Sequence, residues 1–211
     1  MQQLSSLSSV LPHGVFEVHG APLRQLLLGG QKSGKSRHAE LLARQWLALD
    51  SRHEACLIAT GTAWDAEMQE RIARHQRDRA ERVPQLGTLE EARDVAARIA
   101  EHSAPHRLLI VDCLTLWLTN WLMPAPSVTQ GLESNQPVEP DWQVQAAHFL
   151  IALQQSSGPV LLVSNEIGLG VIPMGRDVRA FVDALGLLNQ RAAAACNRVS
   201  FMAAGLPLQM K

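Results

Sequence analysis

The segment GGQKSGKS, residues Gly29–Ser36, lies between a short apolar run, Gln25–Leu28, and a segment with helical spacing, Lys35–Asp50. A glycine-rich loop between a strand and a helix is the pattern of a phosphate-binding loop. Its glycines allow backbone N–H groups to converge on phosphate oxygens, Lys35 adds positive charge at the terminal phosphates, and Ser36 can bind Mg²⁺. The alternative is a glycine-rich turn without a ligand, which the flanking strand and helix disfavour. The segment therefore predicts that this chain binds a nucleoside triphosphate.

Apolar runs of strand length alternate with longer helical segments along the rest of the chain. The predicted strands are Gln25–Leu28, Ala55–Thr60, Arg107–Cys113, Val160–Ser164 and Val199–Ala204. The predicted helices are Lys35–Asp50, Asp65–Arg82, Leu89–His102, Leu114–Leu122, Trp142–Gln155 and Arg176–Cys196. Strands that are apolar throughout are typical of a parallel sheet with helices on both faces. We therefore predict an α/β fold with a mostly parallel sheet, whose ligands lie at the carboxyl ends of the strands.

The length of 211 residues and the hydrophobic content of 46% fit one globular domain. Residues 1–24 include a serine-rich segment without the pattern of a signal peptide, and they are predicted to form a flexible N-terminal extension. The nucleotide-binding domain would then span residues 25–211. Within it, four prolines between residues 123 and 141 predict a mobile insert. The tail after Gly205 can return as an edge strand, where Pro207 is tolerated.

Composition disfavours several classes of protein. A net charge of −1 gives no electrostatic reason to expect a nucleic-acid partner. The three cysteines are far apart and form no CxxC pair, so the sequence suggests neither a disulfide framework nor a zinc site. Apolar runs are too short to span a bilayer. These observations predict a cytoplasmic protein without a transmembrane segment, whose partners are small molecules.

A phosphate-binding loop needs an acidic partner that reaches Mg²⁺, and Asp112 ends the apolar run LLIVD at the ligand end of the sheet. The alternative is that Asp112 caps the helix that begins near Leu114, which is a common task for aspartate. The two roles can coexist. The sequence therefore predicts Ser36 and Asp112 as the metal-binding residues.

The predicted helix Asp65–Arg82 is rich in groups that can do chemistry. At helical spacing, Arg71, His75 and Arg79 fall on one side, so two guanidinium groups flank one imidazole. They would disfavour its protonation and could also hold phosphates. The alternative is a solvated helix face stabilised by ordinary i,i+4 ion pairs. Spacing alone leaves both interpretations open, with the solvated face favoured.

Polar residues also follow the apolar run Val160–Ser164 at the ligand end of the sheet. Asn165 and Glu166 are candidate site residues there, although turn formation is an equal alternative. Four further side chains on the last predicted helix could contact phosphates, but a surface role is favoured for each. They are Arg176, Arg179, Asn189 and Arg191.

Five blocks of the chain are informative in combination. They are GGQKSGKSRHAE (29–40), LIATGTAWDAEMQERIARHQRDR (57–79), LLIVDCLTLWLTNWL (108–122), VLLVSNEIGLGVIP (160–173) and LNQRAAAACNRVSFMAAGLPLQMK (188–211). Together they resemble the bifunctional adenosylcobinamide kinase/adenosylcobinamide-phosphate guanylyltransferase family of cobalamin biosynthesis. Lys32 stands where that family usually has arginine, which keeps the charge and loses the planar fork.

The resemblance implies a RecA-like P-loop fold and two reactions at one nucleotide site. ATP or GTP would phosphorylate adenosylcobinamide, and GTP would then guanylylate a histidine that passes GMP to adenosylcobinamide phosphate. The guanylylated histidine of the family aligns with His75, and Lys35 is the second catalytic residue. The resemblance implies nucleotide contacts at Gly29, Gly30, Gln31, Lys32, Ser33, Gly34, Lys35, Ser36, Thr60, Gly61, Thr62, Gln76, Arg77, Asp78, Arg79, Glu90 and Asp112.

Mg²⁺ and a homo-oligomeric state are further expectations from the resemblance. Two alternatives remain open at the level of the sequence. One is a P-loop kinase without the transferase reaction, in which His75 is structural. The other is a protein that binds nucleotide as a switch.

Overall fold

A seven-stranded sheet forms the centre of the structure, a computed structural model that describes residues 15–63, 65–123 and 141–211. Its strand order is β5-β4-β6-β7-β3-β8-β9. Every pairing is parallel except that of β8 with β9. The strands are β3 (Arg24–Gly29), β4 (Glu54–Ala59), β5 (Leu86–Glu90), β6 (Arg107–Asp112), β7 (Val160–Val163), β8 (Arg198–Ala203) and β9 (Leu206–Gln209).

Helices cover both faces of this sheet. They are α1 (Lys35–Leu49), α2 (Ala66–Arg82), α3 (Val95–His102), α4 (Leu114–Leu122), α5 (Trp142–Gln155) and α6 (Arg176–Ala195). One apolar core joins the sheet to α3, α4, α5 and α6, and a second joins the opposite face to α1. Alternate residues of a strand serve the two cores, so that Leu26 and Leu28 enter the first and Leu27 the second. The predicted P-loop α/β fold, with a mostly parallel sheet between two helical layers, is confirmed.

The phosphate-loop strand β3 and the Asp112 strand β6 are separated by one strand, β7. This is the arrangement expected of a RecA-like sheet. Because these strands are parallel, the segments that follow β3, β4, β6 and β7 all leave the sheet at the same edge. That edge is where the predicted site residues were expected.

The structure corrects two predicted boundaries. Leu89–His102 was predicted as one helix, but its first two residues end the strand β5 and the helix begins at Val95, where Asp94 caps it. The predicted extension, 1–24, is also too long. Residues 15–23 form a small hairpin of β1 (Glu17–Val18) and β2 (Ala21–Pro22), and Phe16 is 1% exposed in the second core.

The C-terminal tail forms β9 at the edge of the sheet, as predicted. Residues 1–14 of the expected extension and residues 124–140 of the expected insert lie outside the described residues. Within the described segments, every helix is too short or too polar to cross a membrane.

Candidate active site

The phosphate loop leaves β3 and enters α1 through two glycines with positive φ. Gly29 has φ +150°, and a Cβ there would lie 2.4 Å from the backbone oxygen of Met202. Gly34 has φ +99° and caps α1, and a Cβ there would lie 3.0 Å from the Cα of Gly205. Both conformations favour glycine. The sequence therefore places glycine where the loop must curl tightly against the end of β8.

Lys35, at the start of α1, turns its ammonium group back into this loop. Its Nζ donates to the backbone oxygens of Gly29 at 2.9 Å and Gly30 at 2.6 Å, and lies 3.4 Å from the hydroxyl of Ser33. The side chain is buried, and burial is the main cause that lowers the pKa of Lys35 from its ordinary value. Lys35 is thus held at the place where the loop would receive phosphate.

Ser36 and Asp112 meet at the bottom of the site. Ser36 follows β3 and Asp112 ends β6, and both line the cavity wall beside Lys35. Burial raises the pKa of Asp112, whereas the Ser36 hydroxyl, His75, Arg79 and Lys35 act in the opposite direction. Two oxygen ligands of the kind that Mg²⁺ prefers are therefore adjacent beside Lys35.

His75 lies on α2 and faces the same cavity. This cavity has a volume of about 610 Å³ and is lined by the phosphate loop, Asp112 and Asn165 as well as His75. Partial burial is the first cause that lowers the pKa of His75, followed among the lowering causes by Arg71 and Arg74. The sequence had predicted that Arg71 and Arg79 flank the imidazole. The direction of the shift in the pKa of His75 is the predicted one, but Arg74 rather than Arg79 contributes to it beside Arg71.

A smaller cavity of about 120 Å³ continues from the first, past Ser36, His75 and Asp112. Its wall includes three residues that were predicted to contact the nucleotide. Gly61 follows β4, Arg79 lies on α2 and Glu90 ends β5. Gln76 also lines this cavity and donates to the carboxylate of Glu90 at 3.4 Å. The two cavities together bring most of the predicted site residues to one edge of the sheet.

Other residues that were predicted to contact the nucleotide bond within the protein or lie outside the two cavities. Thr60 is fully buried, and its hydroxyl donates to the Cys113 oxygen at 2.7 Å and accepts from the Cys113 nitrogen at 2.8 Å. The Thr62 hydroxyl lies 3.4 Å from Asn120 Oδ1, and Asp78 pairs with Arg82. Arg77 is exposed on α2, and the residues that line the two cavities do not include it. Thr60 therefore fixes the chain beside Asp112 rather than offering its hydroxyl to a ligand.

The segment after β7 is fastened to the site at its beginning. The Asn165 nitrogen donates to the Thr115 hydroxyl at 3.0 Å, and the Glu166 nitrogen donates to the Gly29 oxygen at 3.1 Å. Asn189, which the sequence offered as a phosphate contact, is buried and donates instead to the Asn165 oxygen at 3.0 Å. The Glu166 carboxylate accepts from the Gly168 nitrogen. This side chain therefore stabilises a turn, which was the alternative to a role in the site.

Arg179 donates to the backbone oxygens of Pro173 and Met174, close to its own helix start. Arg179 therefore has a local role in the structure, and a surface role was the one that the sequence favoured.

Several charged residues of the cavity wall were missed from the sequence. They are Arg37, Glu40, Glu67, Glu70, Arg74 and Arg82. For Glu40 a signal existed, because it occupies a position in the buried side of α1 together with Ala39 and Ala43. A carboxylate in a buried helical stripe is unusual unless it is paired. Here the partner is Arg82 of α2, whose guanidinium donates to Glu40 Oε2.

The described residues contain no cluster of three or more histidine, cysteine, aspartate or glutamate side chains that could hold a metal ion alone. A site with one carboxylate and one hydroxyl instead fits an ion that completes its shell with phosphate and water.

Comparisons with known proteins point to one family. The family model described as cobinamide kinase / cobinamide phosphate guanyltransferase matches residues 25–210. The bifunctional adenosylcobalamin biosynthesis protein CobP of Pseudomonas aeruginosa is 43% identical over 189 residues, which are 90% of this chain and 98% of that protein. CobU proteins with the same description from Escherichia coli and Salmonella typhimurium are 32% and 31% identical, each over 88% of this chain and 98% of the relative.

Among solved structures, the flagellar accessory protein FlaH of Methanocaldococcus jannaschii aligns with a TM-score of 0.48 and 13% identity, over 96% of this chain and 85% of that one. The family match covers the sheet and the residues that line both cavities. With a phosphate loop, an acidic strand end and a histidine-bearing helix around one cavity, the chain belongs to the cobinamide kinase / cobinamide phosphate guanyltransferase family.

Proposed function

We propose that this chain phosphorylates adenosylcobinamide with ATP or GTP, and then transfers GMP from GTP to adenosylcobinamide phosphate. The transfer would pass through a guanylyl-histidine at His75 and yield adenosylcobinamide-GDP. The names of the family and of its relatives support the two activities. The observation that carries the assignment to one site is that His75, Lys35 and Asp112 border the same cavity.

In the phosphorylation step, the chain binds the triphosphate and orients its terminal phosphate. The backbone N–H groups of Gly29–Ser36 cradle the phosphates, and Lys35 neutralises charge that develops on them. Ser36 and Asp112 would hold Mg²⁺, whose role when bound is to neutralise phosphate charge. Both side chains line the same cavity as Lys35, which supports this role.

In the guanylylation step, a neutral imidazole nitrogen of His75 attacks the α-phosphorus of GTP. The bond from that phosphorus to the bridging oxygen breaks and pyrophosphate leaves. A phosphate oxygen of the acceptor then attacks the same phosphorus, and the phosphorus–nitrogen bond returns its electron pair to His75. The lowered pKa of His75 supports this role, because it leaves the imidazole neutral and nucleophilic near pH 7.

Arg71 and Arg74 line the cavity beside His75 and stabilise charge on the leaving pyrophosphate. Gln76, Arg79 and Glu90, in the smaller cavity, are proposed to contact the nucleotide beyond its phosphates. In this proposal Thr60 and Asp78 do not contact the nucleotide. Thr60 bonds to Cys113 beside Asp112, and Asp78 pairs with Arg82. The contacts at Thr62 and Arg77 remain predictions from the family resemblance.

The test is covalent labelling by GTP that carries ³²P at the α-phosphate. The wild-type protein should retain label in alkali and lose it in acid, as a phosphoramidate does, and His75→Ala should take up none. His106→Ala is the matched control, because His106 is an exposed histidine at the opposite end of β6. It should label like the wild type.

Two alternatives predict other outcomes. A kinase alone would phosphorylate adenosylcobinamide without taking up label, and His75→Ala would then leave its activity intact. A nucleotide switch would bind GTP without label and without turnover of adenosylcobinamide. Either result contradicts the proposed transfer through His75.

The chain is further proposed to act in the cytoplasm as a homo-oligomer. Its three cysteines are all free, which supports a reducing compartment. A run of apolar side chains after β7 is exposed in the single chain, and this supports self-association. They are Leu169, Val171, Ile172 and Met174.

A further inference from the structure

The helix that carries His75 has little apolar attachment to the rest of the molecule. The structure describes every residue of α2, and Arg79 is the only one of them that is buried. Ile72 and Met68 are half-buried against the smaller cavity. Since apolar burial is the usual way in which a helix is fixed to a domain, α2 needs another attachment.

That attachment is polar and lies on α1. Glu40 is 3% exposed, and its Oε2 accepts from a guanidinium nitrogen of Arg82 on α2. Another nitrogen of Arg82 pairs with Asp78 at 3.2 Å, which orients the guanidinium on its own helix. The buried Arg79 is close enough to act on the charge of Glu40. One carboxylate of α1 therefore faces two guanidinium groups of α2.

Glu40 and Arg82 lie close in sequence to residues of the site. Ser36, at the phosphate loop, lies four residues before Glu40, which is one turn of the same helix. Arg82 lies seven residues after His75, two turns further along α2. The Glu40–Arg82 contact therefore links the element that holds the triphosphate to the element that carries the nucleophile.

From this geometry, and resting on the proposed guanylylation of His75, we propose that Glu40 is a positioning residue for guanylyl transfer. It holds Arg82, and through Arg82 it sets how α2 presents His75 to the α-phosphate. Phosphorylation of adenosylcobinamide depends on Lys35, Ser36 and Asp112 and does not use His75. Loss of the Glu40–Arg82 contact should therefore affect guanylylation far more than phosphorylation.

The experiment compares the two rates in the full-length protein. Guanylylation is followed by the uptake of label from α-labelled GTP in single turnover, and phosphorylation by transfer from γ-labelled ATP to adenosylcobinamide. Glu40→Gln keeps the size of the side chain and removes its charge. The expected result is a guanylylation rate at saturating GTP that falls by about 10- to 100-fold relative to the phosphorylation rate, because small displacements of reacting groups cost this much.

Arg82→Gln tests the same contact from the less buried partner and carries the test if Glu40→Gln does not fold. The double variant should be no slower in guanylylation than the slower single variant, since both changes break one contact. Glu54→Gln is the matched control. It removes another glutamate–arginine pair, with Arg107 at 2.7 Å, at the opposite edge of the sheet, and should leave the ratio of the two rates unchanged.

Three outcomes overturn the inference. An equal fall of both rates would give Glu40 a general structural role. A changed KM for GTP with an unchanged guanylylation rate at saturation would mean that the charge of Glu40 affects the binding of GTP and not the position of His75. Unchanged rates of both reactions in Glu40→Gln would show that α2 is positioned without the Glu40–Arg82 contact. Failure of the proposed function is distinguishable, because then the wild-type protein would itself take up no label from GTP.

Discussion

At the scale of single residues, the ionisation of His75 is set by its neighbours. Partial burial, Arg71 and Arg74 lower its pKa, whereas Asp112 and Asp78 act in the opposite direction. Arg71→Gln removes a positive charge that disfavours the imidazolium, so it should raise the pKa of His75. Titration of the imidazole by NMR measures this directly, and the acid limb of guanylylation should move to higher pH in the variant.

Arg77→Gln provides the control for this change of charge. Arg77 is an exposed arginine of the same helix, and it is not among the groups that shift the pKa of His75. An equal rise of the His75 pKa in Arg71→Gln and Arg77→Gln would show that the net charge of α2, and not a specific neighbour, sets this pKa. An unchanged or lower pKa in Arg71→Gln would contradict the electrostatic account.

Residues whose role depends on local sequence were predictable. Lys35 and Ser36 follow from the spacing of the phosphate loop, and Asp112 from its place at the end of an apolar strand. The position of Glu40 on the buried side of α1 was a signal that could have been used, but its partner Arg82, 42 residues away, could not be identified from the sequence. Thr60 was predicted as a nucleotide contact, but its hydroxyl is bonded to Cys113, and this pairing depends on the adjacency of β4 and β6.

At the scale of elements, apolar continuity predicted the buried strands and failed at the edge strand β5. The central strand β6 reads RLLIVD and was recognised, whereas β5 reads LGTLE, with most of its side chains exposed or half-exposed. Its glutamate-rich end resembles a helix start, so local propensity favoured a helix from Leu89. Parallel pairing with β4 overrides that propensity.

The start of α2 offers a prediction at the same scale. The carboxylate of Asp65 accepts from the Met68 nitrogen at 2.7 Å and caps the helix. Asp65→Ala should cost about 1 kcal/mol of helix stability, because this donor loses its partner. Since α2 has one buried residue, the loss should appear as faster hydrogen exchange in its first turns, with slower guanylylation.

Asp94→Ala is the control, because Asp94 caps α3 in the same way, through the Ala97 nitrogen at 3.3 Å. It should speed exchange in α3 and leave guanylylation unchanged. Equal guanylylation in Asp65→Ala and the wild type would show that the cap of α2 does not contribute to presenting His75.

At the scale of the whole molecule, the sheet and α2 divide the chemistry between them. Lys35 and Asp112 are fixed by the central strands β3 and β6, between two apolar cores. His75 lies on a helix outside both cores, attached by charged contacts. The parallel sheet between two helical layers could be predicted from the alternation of apolar runs and helical segments. The orientation of α2 could not, because ionic contacts between distant segments leave no periodic pattern.

The exposed segment after β7 gives the prediction that concerns the assembly. Residues 167–175 contain no charged side chain, and Val171 and Met174 are 96% and 94% exposed in the single chain. Their burial between copies would be favourable, and a carboxylate placed there would have to be desolvated. Val171→Asp should therefore lower the molar mass measured by light scattering from an oligomer towards 23.1 kDa, the mass of one chain.

Ile151→Asp is the matched change, since Ile151 is an exposed apolar residue on α5. It should leave the molar mass unaltered. A wild-type protein that is already monomeric, or a Val171→Asp variant with the wild-type mass, would contradict self-association through this segment. In the second case, weaker binding of adenosylcobinamide phosphate by Val171→Asp would assign the surface to the acceptor instead, because the segment begins beside the phosphate loop, where Glu166 bonds to Gly29.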